Sequence, residues 1–136
     1  MQQKIIDFLE KIAKENSFNI IENVSGKIVN NHIITNGVAV YGILVESSLP
    51  LKENHRSLPG SPNLYPVYWG VDPKPISRIL AHLSEYKKTG SVQIHNIKEL
   101  ENKPLYSGVI FLKEYKELEA LLHKNFPPYT GKPSVG

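Results

Sequence analysis

Cysteine is absent from this chain of 136 residues, which excludes a disulfide framework and a thiolate metal site. Long apolar runs are absent too: charges interrupt the apolar positions between Ile5 and Ile12, and no run approaches the roughly 20 residues of a membrane span. We therefore expect no signal peptide and no membrane contact. A large excess of one sign of charge is absent as well, since the net charge is +3 and the pI is about 9.0. This balance permits a polyanionic partner without requiring one. The absence of cysteine suits a reducing cytosol, and we expect a globular, cytoplasmic protein.

The chain is expected to form one domain over residues 1–136, because it has the usual length of a domain and no repeat or long linker divides it. Hydrophobic periodicity predicts helices at 2–16, 73–88 and 113–125, and strands at 37–46, 67–71 and 105–112. Shorter strands or a hairpin are predicted at 19–24, 27–35 and 92–94, and a helical turn at 97–102. The mixture predicts an α/β or α+β fold, with a small central β-sheet flanked by helices.

The segment 47–66 contains four prolines and is predicted to be a long loop between two strands. A long loop inside a compact domain is typical of a functional segment, although a tolerated surface insertion would look the same. Its middle carries Lys52, His55 and Arg56, which could meet phosphates or base edges if the loop overhangs a cleft.

The helix predicted after Val71 carries Lys74, Arg78, His82 and Tyr86 at intervals of four, so they follow one flank. Such a row suits either a phosphate-facing surface or an ordinary solvated face.

In the last predicted helix, Glu119 lies roughly 70° from the centre of the apolar stripe, whereas Glu117 lies roughly 130° away. Glu119 is therefore placed at the edge of a cleft or snorkels from the border of the core, and Glu117 should be solvated. Tyr41 and Tyr68 belong to consecutive strands that we expect to pair, and each is compatible with a structural or a catalytic role.

The order of these residues resembles the GIY-YIG nuclease superfamily. Ala39-Val40-Tyr41 resembles one half of the motif and Tyr68-Trp69-Gly70 the other; Arg78 follows eight residues after that glycine, His82 four later, and Glu119 lies in a helix before Pro127-Pro128. The resemblance spans residues 38–130 and leaves 1–35, with the first helix and hairpin, as an N-terminal extension. The chain departs from the pattern at Ala39, which replaces a glycine, at Thr130, which replaces a frequent asparagine, and in the length of the loop 47–66.

The resemblance implies a metal-dependent endonuclease, with Tyr41, Tyr68, Arg78, His82 and Glu119 as catalytic residues. Glu119 would bind one Mg²⁺ or Mn²⁺, which would stabilise charge on the phosphate and on the leaving oxygen. Arg78, one of two arginines in the chain, would contact the non-bridging oxygens through its planar guanidinium. The residues do not establish whether Tyr41, Tyr68 or His82 activates the attacking water.

Nucleic acid is the expected partner, DNA in preference to RNA, and a homodimer or a partner protein could supply specificity. Phosphate contacts are predicted for seven basic residues, namely Lys52, Arg56, Lys74, Lys87, Lys116, Lys124 and Lys132. The competing interpretation is a non-catalytic module of the same fold that binds nucleic acid or protein. The sequence contains no P-loop, dinucleotide fingerprint or HExxH motif, so nothing in it favours an enzyme of different chemistry.

Overall fold

The computed structural model describes residues 1–21, 38–72 and 97–130, together with the strand pairing of four residues between 28 and 33. The predicted helix at 73–88 and strand at 92–94 lie outside the described residues, as do five predicted site residues, namely Lys74, Arg78, His82, Lys87 and Lys132. The described elements are α1 (Gln2–Glu15), β1 (Ile28–Val29), β2 (His32–Ile33), β3 (Val38–Glu46), β4 (Leu64–Asp72), a 3₁₀ turn (Lys98–Leu100), β5 (Leu105–Leu112) and α2 (Tyr115–Asn125).

Helix α1 forms where the apolar spacing predicted it, because residues three and four apart share one face. Ile5, Leu9 and Ala13 on that face are fully buried. The helix ends at Glu15 and is capped by Asn16, whose side-chain amide donates a hydrogen bond of 2.8 Å to the carbonyl of Ile12. Helix α1 precedes the residues that resemble the nuclease family, which begin at residue 38. It nevertheless shares one hydrophobic core with the sheet.

The three long strands form an antiparallel sheet in the order β4-β3-β5. Strand β3 lies in the centre, and its residues from Ala39 to Val45 are buried, as expected for a strand that is apolar on both faces. The short strands β1 and β2 pair antiparallel, in agreement with the short strands or hairpin predicted at 27–35. The chain is therefore a small α+β protein.

Strand β4 begins at Leu64, three residues before the predicted start at Val67, so the expected loop 47–66 ends at residue 63. Proline signals a loop because it lacks an N–H group, yet an edge strand or a bulge tolerates this loss. Pro66 lies opposite Leu44, next to a register shift between Ile43 and Leu44. The bulge thus accommodates the proline without ending the strand.

The sheet has two differently covered faces. The helix face carries Val40, Leu44 and Trp69, which pack with residues of both α1 and α2. The tyrosine face carries Tyr41 and Tyr68, and its other buried members are Ile43, Val45, Tyr65, Val67 and Leu100. Both described helices therefore lie on the same side of the sheet.

Short stretches of chain extend the sheet beyond its outer strands. Ile21 donates a backbone hydrogen bond to Phe111, and Lys113 donates one to Asn19, beside β5. Tyr129 donates one to Pro66, and Thr130 one to Val67, beside β4. Edge N–H and C=O groups are thereby satisfied within the chain at these positions. Among the helices in the described part of the chain, none is long and apolar enough to cross a membrane.

Candidate functional site

The two motif tyrosines are stacked on the tyrosine face, with ring centroids 5.9 Å apart and an interplanar angle of 29°. The register explains this contact: Tyr41 lies directly opposite Gly70, so Tyr68 is its diagonal neighbour on the adjacent strand. Gly70 leaves the space that both rings occupy, because a Cβ there would lie 2.6 Å from Cζ of Tyr41 and 2.7 Å from Cε1 of Tyr68. The strands pair directly in spite of the long loop that joins them.

Gly70→Ala is expected to destabilise the protein by about 1–3 kcal/mol, the usual cost of forcing one methyl group into a packed core. The added methyl would overlap both phenol rings and force them apart. Urea unfolding measures the loss. Repeating the substitution in a Tyr41→Leu background should reduce the cost, since one of the two overlapping rings is then gone. An equal cost in both backgrounds would contradict this account of Gly70.

Glu119 lies on α2 with its side chain half-buried, whereas Glu117 is exposed, so the predicted orientation of this helix is confirmed. The helix packs through Leu118 and Leu122 on the helix face. The sheet therefore lies between the tyrosine pair and the helix that carries Glu119. The structure brings Tyr41 and Tyr68 together and does not place Glu119 on their side; the convergence of all five catalytic candidates stays a prediction.

Within the described segments, no group of three histidine, aspartate or glutamate side chains is arranged to hold a metal ion. A single carboxylate nevertheless suits Mg²⁺, which keeps several waters and takes its remaining ligands from substrate phosphates. Glu119, half-buried on α2, carries a carboxylate of this kind.

The basic residues of the loop 47–63 have separate environments. The ammonium of Lys52 donates hydrogen bonds of 3.0 Å to the carbonyls of both Pro128 and Tyr129, and lies 5.6 Å from the centre of the Tyr129 ring. Arg56 is exposed and lines an open cleft of about 340 Å³ between the C-terminal ends of α1 and α2. Lys116 and Lys124 are exposed on α2, where they could reach a polyanion.

His55 has a structural position that the sequence pattern did not reveal. It is only 5% exposed, its Nε2 lies 2.7 Å from the carbonyl oxygen of Pro66, and its Nδ1 faces the N–H of Leu51 at 3.4 Å. Because a carbonyl only accepts and an N–H only donates, these partners select the neutral ring with its proton on Nε2. Burial lowers the pKa of His55, the positive charge of Lys52 lowers it further, and the bond to Pro66 partly opposes both.

No protein-family model, no curated protein and no solved structure matches this chain. The resemblance to GIY-YIG nucleases therefore stays a prediction from the motif residues.

Proposed function

We propose that this protein is a metal-dependent endonuclease that hydrolyses phosphodiester bonds in nucleic acid, DNA being the expected substrate, with a GIY-YIG-like site. The observation that supports the proposal is the stacking of Tyr41 and Tyr68 across Gly70 in paired strands. The stacked phenols agree with the expectation that the two strands bearing the motif tyrosines pair with each other. The rigid sheet would keep both rings at a constant position.

Each residue of the proposed site has a distinct task. Glu119 would hold Mg²⁺ or Mn²⁺, which supplies Lewis-acid stabilisation of the phosphate when bound. Arg78 would bind the non-bridging oxygens as their negative charge increases. Of the two phenols, one would orient or deprotonate the attacking water, assisted by His82, because a phenol with a pKa near 10 is a weak base by itself.

A cleavage assay on supercoiled plasmid and on single-stranded DNA tests the proposal. We expect nicked or shortened products with Mg²⁺ or Mn²⁺, none with EDTA, and recovery when excess metal is restored. RNA of the same sequence as the single-stranded DNA distinguishes the two substrates. Intact substrate under every metal condition, with a folded protein, would contradict the nuclease proposal.

A second candidate is a non-catalytic module that binds nucleic acid or a protein partner. Two observations favour it: both tyrosines are only 1% exposed, and the sheet lies between them and α2. A gel-shift titration on the same DNA substrates separates the candidates. Binding that persists without cleavage in Mg²⁺ and Mn²⁺ would support the module.

A further inference from the structure

The residues that follow α2 are held against the outer edge of β4 by four groups. The backbone N–H of Tyr129 donates to Pro66 at 3.0 Å, and the N–H and hydroxyl of Thr130 both donate to Val67, at 3.2 and 2.9 Å. Lys52 adds bonds to the carbonyls of Pro128 and Tyr129. We name residues 128–130 the edge segment.

His55 joins the edge segment to the loop and to β4. Its Nε2 donates to the same Pro66 oxygen that accepts the N–H of Tyr129, and its ring lies 6.1 Å from the Tyr129 ring and 5.0 Å from the Tyr65 ring. The neutral ring therefore supports the contact between the edge segment and β4 from the loop side.

Protonation of His55 would disrupt this arrangement in two ways. A proton on Nδ1 would face the N–H of Leu51, so an acceptor would become a second donor and the bond would be lost. The new positive charge would also lie close to the ammonium of Lys52. Among the described residues, the ionisable side chains whose rings lie beside His55 are Tyr65 and Tyr129. Burial and the carboxylate of Glu99 raise the pKa of Tyr129.

We infer that Lys52 and His55 form an acid-sensitive clasp, which holds the edge segment on β4 at neutral pH and releases it on acidification. Release uncovers the carbonyl groups of Pro66 and Val67, which an edge strand can offer to another strand. The clasp is built into the fold and does not depend on the proposed nuclease activity.

The loss of the closed state in acid follows from the linkage between proton binding and stability. The pKa of His55 is lowered in the closed state, and a released loop would restore it to its ordinary value of 6.5. The closed state is therefore fully favoured above pH 6.5 and loses stability as the pH falls below that value towards the lowered pKa. Above pH 6.5, His55 should not change the stability of the closed state.

Amide hydrogen exchange followed by NMR tests the clasp in the whole chain of 136 residues. We expect the protection of the Tyr129 and Thr130 amides, corrected for intrinsic exchange, to be constant above pH 6.5 and to fall below it. Amides of the central strand β3, such as that of Ile43, serve as the internal control and should keep their protection. The imidazole resonances of His55 should titrate below the ordinary value.

Two variants separate the clasp from general acid unfolding. His55→Gln keeps a donor towards Pro66 but does not titrate, so the loss of protection in acid should disappear. Lys52→Met should lower the protection of the edge segment at every pH, because two hydrogen bonds are removed. Constant protection of Tyr129 and Thr130 in the native protein down to pH 5 would overturn the inference, as would an undiminished acid effect in His55→Gln.

Discussion

Glu119→Gln should reduce metal-dependent cleavage by at least about 100-fold, which corresponds to roughly 2.7 kcal/mol of transition-state stabilisation. Glutamine retains the size of the side chain but removes the negative charge that would hold the metal ion. Binding of nucleic acid should be unchanged or slightly tighter, because an acidic side chain repels a polyanion. Cleavage rates and gel-shift affinities are measured on the same DNA.

Glu117→Gln is the matched control, since it makes the same chemical change two residues earlier on the exposed side of α2. We expect this variant to cleave at the native rate. If Glu117→Gln were the inactive variant, the assignment of Glu119 as metal ligand would be wrong. If both variants were as active as the native protein, neither of these glutamates of α2 would be the metal ligand.

Trp69→Ala should lower the free energy of unfolding by about 3–5 kcal/mol, the range for removal of a large aromatic side chain from a core. Trp69 is fully buried on the helix face and stacks with Phe8 at a centroid distance of 6.1 Å. Its indole N–H donates a hydrogen bond of 2.8 Å to the carbonyl of Phe126. The ring lies so close to Gly42 on β3 that a Cβ at that glycine would overlap it.

Urea unfolding followed by circular dichroism measures this loss, because Trp69 is the only tryptophan and its fluorescence disappears with the substitution. Trp69→Phe should lower the stability less than Trp69→Ala, because an aromatic ring is kept and only the indole hydrogen bond and part of the ring are lost. Leu49→Ala, at a side chain that is 70% exposed, should change stability little. A loss below 1 kcal/mol in Trp69→Ala would show that this ring does not organise the helix face.

The residues by themselves determined the main elements of this protein. The bounds of β5 and the existence of α1, β3 and α2 follow from apolar periodicity, because a helix or strand buries one face or both according to its own repeat. The greater exposure of Glu117 than of Glu119 is also predictable from the sequence, because the rotation per residue within one helix places the two side chains. The start of β4 was misplaced because the bulge that tolerates Pro66 depends on the partner strand.

The side of the sheet on which each element lies was decided by tertiary structure alone. Periodicity separates the inner and outer faces of an element, but it does not state which surface of a neighbouring sheet the inner face covers. For this reason the sequence did not reveal that α2 and the tyrosine pair lie on opposite faces. The same limit applies to Lys52 and His55, whose partners are 76 and 11 residues away along the chain. The protein partners of these two side chains could only be found in the folded chain, and their contacts with phosphate stay a prediction.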